Sequence, residues 1–228
     1  MTDIPLIDKQ DNFEIVLAQI GAILATETTS QQALATAAAK DPTLWEFDVY
    51  LDRYNPLEQF QDDADAIPLV NIWYENSNFP DSATHSVGTQ VSESTYNLDI
   101  YASAASADNP AGGYDRSDET STANLHRIVR LVRNIIMHPK YQYLELSIDR
   151  SSKKQNLVWR RWTESITVFQ PQINDRPVQG VIAARLTLRV KFNETLVARE
   201  WEPLEAIYTT AKRAEDGKVI FEAQFDTT

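Results

Sequence analysis

The chain has no cysteine. Disulfides, thiolate metal sites and a thiol nucleophile are excluded, and a reducing compartment is allowed. Glycine is scarce, with 6 in 228 residues. None of them falls in a GxxxxGK[ST] or GxGxxG cradle for phosphate. The pair Gly112-Gly113 is not followed by Lys-Ser/Thr and reads as a turn. A GxSxG nucleophile elbow is also missing. No apolar run approaches the roughly 20 residues that span a bilayer, so no membrane partner is expected. The opening MTDIPLIDKQD has neither a basic nor an apolar leader region, and a signal peptide is not expected there. The three histidines, His85, His126 and His138, show no HExxH or HxH spacing. Asp62, Asp63 and Asp65 lie close together without the spacing of a calcium loop. These absences lead to the expectation of a non-enzyme, with no catalytic residues, no cofactor and no metal.

What the chain does have is segregated charge. Residues 1–125 carry 21 acids and 4 bases, residues 126–199 carry 5 acids and 14 bases, and residues 200–228 carry 7 acids and 3 bases. An acidic half, a basic centre and an acidic tail suggest complementary surfaces, within one fold or between copies. The net charge of −12 repels a polyanion. The arginines of the centre therefore fit ion pairs with carboxylates better than a duplex grip.

Periodicity predicts a helix from Asp11, where Glu14 three residues on completes a capping box. Its stripe is Phe13, Val16, Leu17, Ile20, Ile23 and Leu24. A second helical stretch, QQALATAAAK, is expected to stop before Pro42. LWEFDVYLD (44–52), PLVNIWYE (68–75) and STYNLDIYA (94–102) read as strands. The last two are expected to form a hairpin joined by a long polar loop. Ser117 opens a helix whose buried stripe is Leu125, Ile128, Val129, Val132, Ile135 and Ile136. His138 fits as a partner for that helix's C-terminal dipole. KKQNLVWRRWTESITVFQP is expected to be a long strand with a bulge near Arg160–Trp162. GVIAARLTLRVKF alternates cleanly, Ala184, Leu186, Leu188, Val190 and Phe192 against Arg185, Thr187, Arg189 and Lys191. LEAIYTTAKRAEDGKVIFEAQF reads as a closing hairpin. The expected fold is α+β: a mainly antiparallel sheet flanked by helices, with long loops and a C-terminal β-hairpin. One domain over 1–228 is expected, with a helical region 1–42, a core 43–199 and an arm 200–228.

The blocks VNIWYENSNFPDSATHSVGTQVSESTYNLDIYA, LHRIVRLVRNIIM, LVWRRWTESITVFQPQ and VIAARLTLRVKFNE resemble, in texture and order, the neck and tail-completion proteins of tailed bacteriophages. Among these they are most similar to tail terminators. The resemblance covers about residues 68–194. It implies a mixed sheet flanked by helices and a ring, usually six-fold, on the last ring of the tail tube. Such a ring ends tube polymerisation and docks the filled head. The implied partners are further copies of the chain, tail tube protein, sheath protein if the tail contracts, and neck or connector proteins. DNA passes through the lumen without sequence-specific binding. The implied location is the virion tail and neck, and the host cytoplasm during assembly.

Under that resemblance, the expected interface residues are Asn78, Phe79, His85, Tyr114, Arg127, Arg130, Arg160, Arg161 and Arg189. Glu75, Asp81, Glu93, Asp108 and Asp115 are the expected channel acids, since an acidic lumen repels phosphate. The closing hairpin could add strands to a neighbouring sheet. A different neck ring (head-completion, stopper or adaptor) is the nearest alternative. A carbohydrate- or receptor-binding module, stacking sugars on Trp45, Trp73, Trp159, Trp162 or Trp201, is a further one.

Overall fold

The computed structural model describes residues 10–58, 60, 67–80, 89–104, 107–108, 114–115, 117–150, 153–173, 176–177, 180–195, 207–212 and 219–225. The chain divides into two compact units. Ile7–Thr195 is the body; Met1–Leu6 with Leu196–Thr228 is the second unit. Among the described residues the long helices are α1 (Asn12–Ala37) and α2 (Ser117–Met137). The body's strands are β1 (Asp48–Leu51), β2 (Leu69–Asn78), β3 (Thr89–Ser103), β4 (Ala107–Asp108), β5 (Tyr114–Asp115), β6 (Ser147–Arg150), β7 (Lys153–Asn156), β8 (Val158–Phe169), β9 (Gln172–Ile173), β10 (Arg176–Pro177) and β11 (Val181–Thr195). In the second unit, β12 (Ile207–Lys212) and β13 (Val219–Phe225) pair antiparallel, which is the expected C-terminal hairpin.

Helix α1 starts where the capping box places it: Glu14 accepts the Asp11 N–H at 2.8 Å. Two helical stretches were expected, but one continuous helix of 26 residues is found. The segment between them, ETTSQ, is rich in hydroxyls that usually compete with helix. Here those hydroxyls fold back onto the helix: Thr29 Oγ1 donates to the Ala25 carbonyl and Ser30 Oγ to that of Thr26. Thr28 Oγ1 instead donates to the Trp45 carbonyl at 3.1 Å and ties the helix to the next segment. The helix ends on Ala39 at φ +53°, with the Lys40 N–H closing on the Ala35 carbonyl, ahead of Pro42.

The strand expected over 44–52 is shorter than its alternation suggested. Pro42–Trp45 is a 3-10 turn capped by the Asp41 side chain, and only Asp48–Leu51 is strand. Proline at the first turn and the Asp cap pre-empt extended structure there. β1 then runs parallel to β2.

The five-stranded sheet has the order β1-β2-β3-β11-β8, antiparallel except at β1–β2. This is the mainly antiparallel α+β architecture. The expected β2–β3 hairpin is present. Register aligns apolar rows across it: Ile72, Leu98, Leu186 and Ile166 form one, Val70, Ile100, Ala184 and Val168 the next. Both helices cover this face, and Val16, Ile20, Leu24, Leu125, Ile128, Val132 and Ile136 pack with the rows in one core. Helix α1 comes close to β1 at Gly21: a Cβ there would stand 2.9 Å from Leu51 Cδ2, and the Leu51 side chain would have to shift to admit it.

Two bulges interrupt β8, at Trp159 and Glu164. They flank the expected position at 160–162, and the extra residues restore the apolar parity that the sequence lost. The arginine between them caps α2. Arg161 donates from Nε to the Tyr141 carbonyl at 2.8 Å and from Nη2 to that of His138 at 3.0 Å. These carbonyls follow α2, so the cation also complements its dipole. His138 was expected to serve that dipole. Instead its Nδ1 accepts the Lys140 N–H at 3.1 Å and caps the following turn, Pro139–Tyr141. Proline at position 139 forces this new turn, and the side chain nearest its start takes the cap.

A clamp joins α1 to the turn that follows α2. Glu27 of α1 accepts from Lys140 Nζ at 2.8 Å and from the Tyr141 hydroxyl. The Lys140 ammonium, then the Tyr141 hydroxyl, hold the Glu27 carboxyl below its ordinary range. Its contribution is therefore whole above the unfolded carboxylate pKa of about 4.3 and is lost as pH falls through the lower folded value. Glu27→Gln should flatten the acid side of the stability–pH curve and leave the slope near neutrality unchanged. An unchanged melting profile below about pH 4.5 would remove the clamp from the stability argument. Leu98 is fully buried in the central row. Leu98→Ala should lower unfolding free energy by about 3 kcal/mol in denaturant titration, and a loss below about 1 kcal/mol would contradict the packing described.

Candidate functional site

Among the described residues of the body no helix lies over the other face of the sheet, which is built from polar side chains. Alternation dictates this: the residues between the apolar positions of β3 and β11 are Glu93, Thr95, Asn97 and Asp99, and Arg185, Thr187, Arg189 and Lys191. Register sets Asp99 against Arg185, Asn97 against Thr187 and Glu93 against Lys191. Leu57 and Phe60 pack with Leu69, Tyr101, Val181 and Ala183 at one end of the body, as a second, smaller core.

Asp99 and Arg185 hold the middle of this face. The guanidinium binds both carboxylate oxygens, Nε to Oδ1 at 2.7 Å and Nη2 to Oδ2 at 2.8 Å. Trp73 Nε1 donates to the same Oδ2 at 3.0 Å. The Arg185 guanidinium also lies 5.0 Å from the Trp73 ring centre and 5.9 Å from that of Phe169. The Asp99 side chain is only 6% exposed, so these partners replace its water. Beside it, Thr187 donates to Asn97 Oδ1 at 3.0 Å, and Asn97 donates to Glu75 at 2.9 Å. Glu75 is the bulged residue of β2. Arg189 pairs with Glu164 at 2.7 Å and with Glu93 at 3.2 Å. Burial pushes the Tyr101 hydroxyl up to about 12 and that of Tyr96 higher still, so both stay neutral donors. The Tyr96 hydroxyl donates to the Phe13 carbonyl at 3.1 Å.

Several expected residues meet here. Asn78, Glu93, Lys191 and Arg160 are neighbours in a single cross-strand row, with Arg189 one step along β11. Arg189 and Glu93 were expected in separate roles, as interface base and channel acid, and the structure pairs them with each other. Arg160 is exposed and lies 5.0 Å over the Trp162 ring. Arg161 turns to the helix side and spends its donors on carbonyls. Arg127 and Arg130 are on α2, in the other layer; Arg130 is exposed, and Arg127 borders a shallow depression with Leu44, Glu46 and Ile67. Phe79 is 46% exposed just beyond β2. Asp108 and Tyr114 face one another in the β4–β5 ribbon, with Asp115 opposite Ala107. His85, Asp81, Asp62, Asp63, Asp65 and Trp201 lie outside the described residues.

The other candidates for chemistry lie on different elements. His126 is exposed beside Asp118 and Thr122. Among the described residues no group of three His, Asp or Glu is arranged to hold a metal. Trp45 packs against the core, Trp73 lies under Arg185 and Trp162 under Arg160. Trp159 is 45% exposed. The sequence reading missed Asp99 and Asn97, and gave Trp73 only as a sugar-stacking candidate. Their signal was available, since a carboxylate and an amide recur at period two on the polar side of a strand, but their partner strand was not known.

No protein-family model matches the chain, and no curated protein matches it significantly.

Removing the Arg185 guanidinium strands a buried carboxylate. Arg185→Met should destabilise the body by about 2 kcal/mol, below the range for a fully buried pair because Arg185 is 42% exposed. Adding Asp99→Leu should recover part of this, so a double-mutant cycle reads a coupling of about 1 kcal/mol or more. Additive effects in that cycle would show that the pair acts only as a screened surface contact.

Proposed function

We propose that this chain is a structural protein of a tailed-phage virion, forming a ring at the head-proximal end of the tail. The ring ends polymerisation of the tube, and of sheath where there is one, joins the tail to the neck and leaves a channel for DNA. The role is structural rather than catalytic.

The observation that carries this reading is a pole on the body. β2 ends at Asn78 and β3 resumes at Thr89, so the polar segment expected to be a contact loop is rooted at that end of the sheet. Thr195, the last residue of the body, is the register partner of Thr89. The last strand of the body therefore ends beside the start of β3. Two segments suited to reaching neighbours leave a rigid sheet at one place, as binding segments on a scaffold commonly do. The resembling blocks support the same reading, because they fall on β2–β3, α2, β8 and β11, the elements that build this body.

The channel acids divide under this proposal. Glu75 and Glu93 are already engaged by Asn97 and Arg189. Asp81, Asp108 and Asp115, which belong to the long connections, are the better lumen candidates.

Purified protein should sediment as a ring, six-fold on the resemblance, and should bind the end of assembled tube protein. A stable monomer with no affinity for tube would overturn the reading. Deleting 204–228 should leave the ring intact and abolish attachment to sheath or neck. A truncated chain that unfolds would make the hairpin part of the body's own fold instead.

A further inference from the structure

Both edges of the five-stranded sheet end without a further strand among the described residues. Unpaired edges expose backbone N–H and C=O groups and are normally blunted or covered. β8 is twelve residues long, and its two bulges and two arginines blunt it only in part. The apolar rows run out into solvent on it: Ile166 is 42% and Val168 49% exposed, although both share rows with buried core residues. The cause is the placement of α2, which packs mainly over β3 and β11. Trp159 and Met137 extend this apolar border, lining a depression with Pro139 and Arg160.

The opposite edge has the same character. Leu44, Leu51, Tyr54 and Ile67 are all exposed along or beside β1. Eight of the eleven large apolar side chains exposed on the described surface therefore border one edge or the other. Scattered exposed apolar residues are ordinary, but two borders of them on unpaired strands mark contacts.

Charge says what each border meets. Residues 40–58, around β1, carry five acids (Asp41, Glu46, Asp48, Asp52, Glu58) and two bases. In the approach to β8, Arg133 and Arg160 are exposed bases, whereas Lys140 already pairs with Glu27 and Arg161 is spent on carbonyls. Each edge is the complement of the other in charge and its match in apolar character. A contact between two copies of the same edge would set like charges together.

We propose that the β1 edge of one copy docks against the β8 edge of the next, head to tail, and that this is the joint of the ring. The inference deepens the ring reading above and rests on it. Such a contact is heterologous, so a growing row keeps one unused edge at each end until the ring closes. Closure then leaves no free edge. β1 offers only four residues, so the joint relies on side chains more than on a long backbone ladder.

Two variants of the full chain test this. Glu46→Lys/Asp48→Lys reverses the β1 edge, and Arg160→Glu/Ile166→Glu breaks the β8 edge. Each alone should weaken self-association at least about tenfold by light scattering, with the circular dichroism spectrum unchanged. Mixed one to one, they should associate again, because one intact β1–β8 joint remains between them. Independently, the cysteine-free background allows Leu51→Cys with Ile166→Cys in one chain. On oxidation that chain should give a covalent ladder ending at the ring, and neither single variant should. Rings that persist in both edge variants, or the absence of a ladder from an intact ring, would overturn the joint and leave the ring reading standing. Wild-type protein that stays monomeric would overturn both. Edge variants that each dimerise alone would overturn the head-to-tail arrangement.

Discussion

The strict alternation of β3 and β11 is the constraint on which the rest of this molecule depends. These strands pair over fifteen consecutive positions without a register shift. One residue of slippage would carry Leu186, Leu188 and Val190 to the polar side and Arg185 and Arg189 into the core. The pairing thus fixes two things together. It gives the helices a continuous apolar surface, and it brings every base of β11 within reach of acids or amides on β3. Bulges are confined to the outer partners, β2 and β8, where the sheet can bend without disturbing this central pair.

A consequence is that much of the basic centre is neutralised within the fold. Arg185 is held by Asp99, Arg189 by Glu93 and Glu164, and Arg161 by the carbonyls after α2. The chain's charge segregation is therefore partly an internal matter, with an acidic early strand meeting a basic late one across the sheet. That outcome lowers the potential the polar face presents to a phosphate backbone. It also separates two kinds of arginine that look alike in sequence. Those at interior strand positions are committed; Arg130 and Arg160, at the periphery, are exposed.

The fold was legible wherever one short-range period controlled the outcome. The helix at 117–137, the β2–β3 hairpin, the faces of β11 and the C-terminal hairpin all follow from spacing and turn residues. Spacing misled where a local hydrogen bond competed with it. Hydroxyls folded onto i−4 carbonyls carried α1 through a segment that reads as a break, and the Asp41 cap with Pro42 removed half of an alternating strand. The site was less legible because it is made by register. Asp99 and Arg185 are 86 residues apart, and Arg189 and Glu93 are 96 apart. Nothing in either strand alone states which residue it will oppose. The charge tally announced that acids and bases would meet, but not that so many would meet inside one copy.

This internal pairing narrows where contacts between copies can arise. The helix-side face of the sheet is filled by the core. The middle of the polar face is closed by its own ion pairs, and opening them would strand buried groups such as Asp99. Among the described residues, what the body leaves unspent is its perimeter: two edges bordered by exposed apolar side chains. Edges that differ suit a repeating head-to-tail joint, whereas a self-complementary face would have favoured a closed dimer. A perimeter joint would also leave the ion pairs of the polar face undisturbed. The same alternation that builds the core therefore pushes recognition outward to the sheet's boundaries.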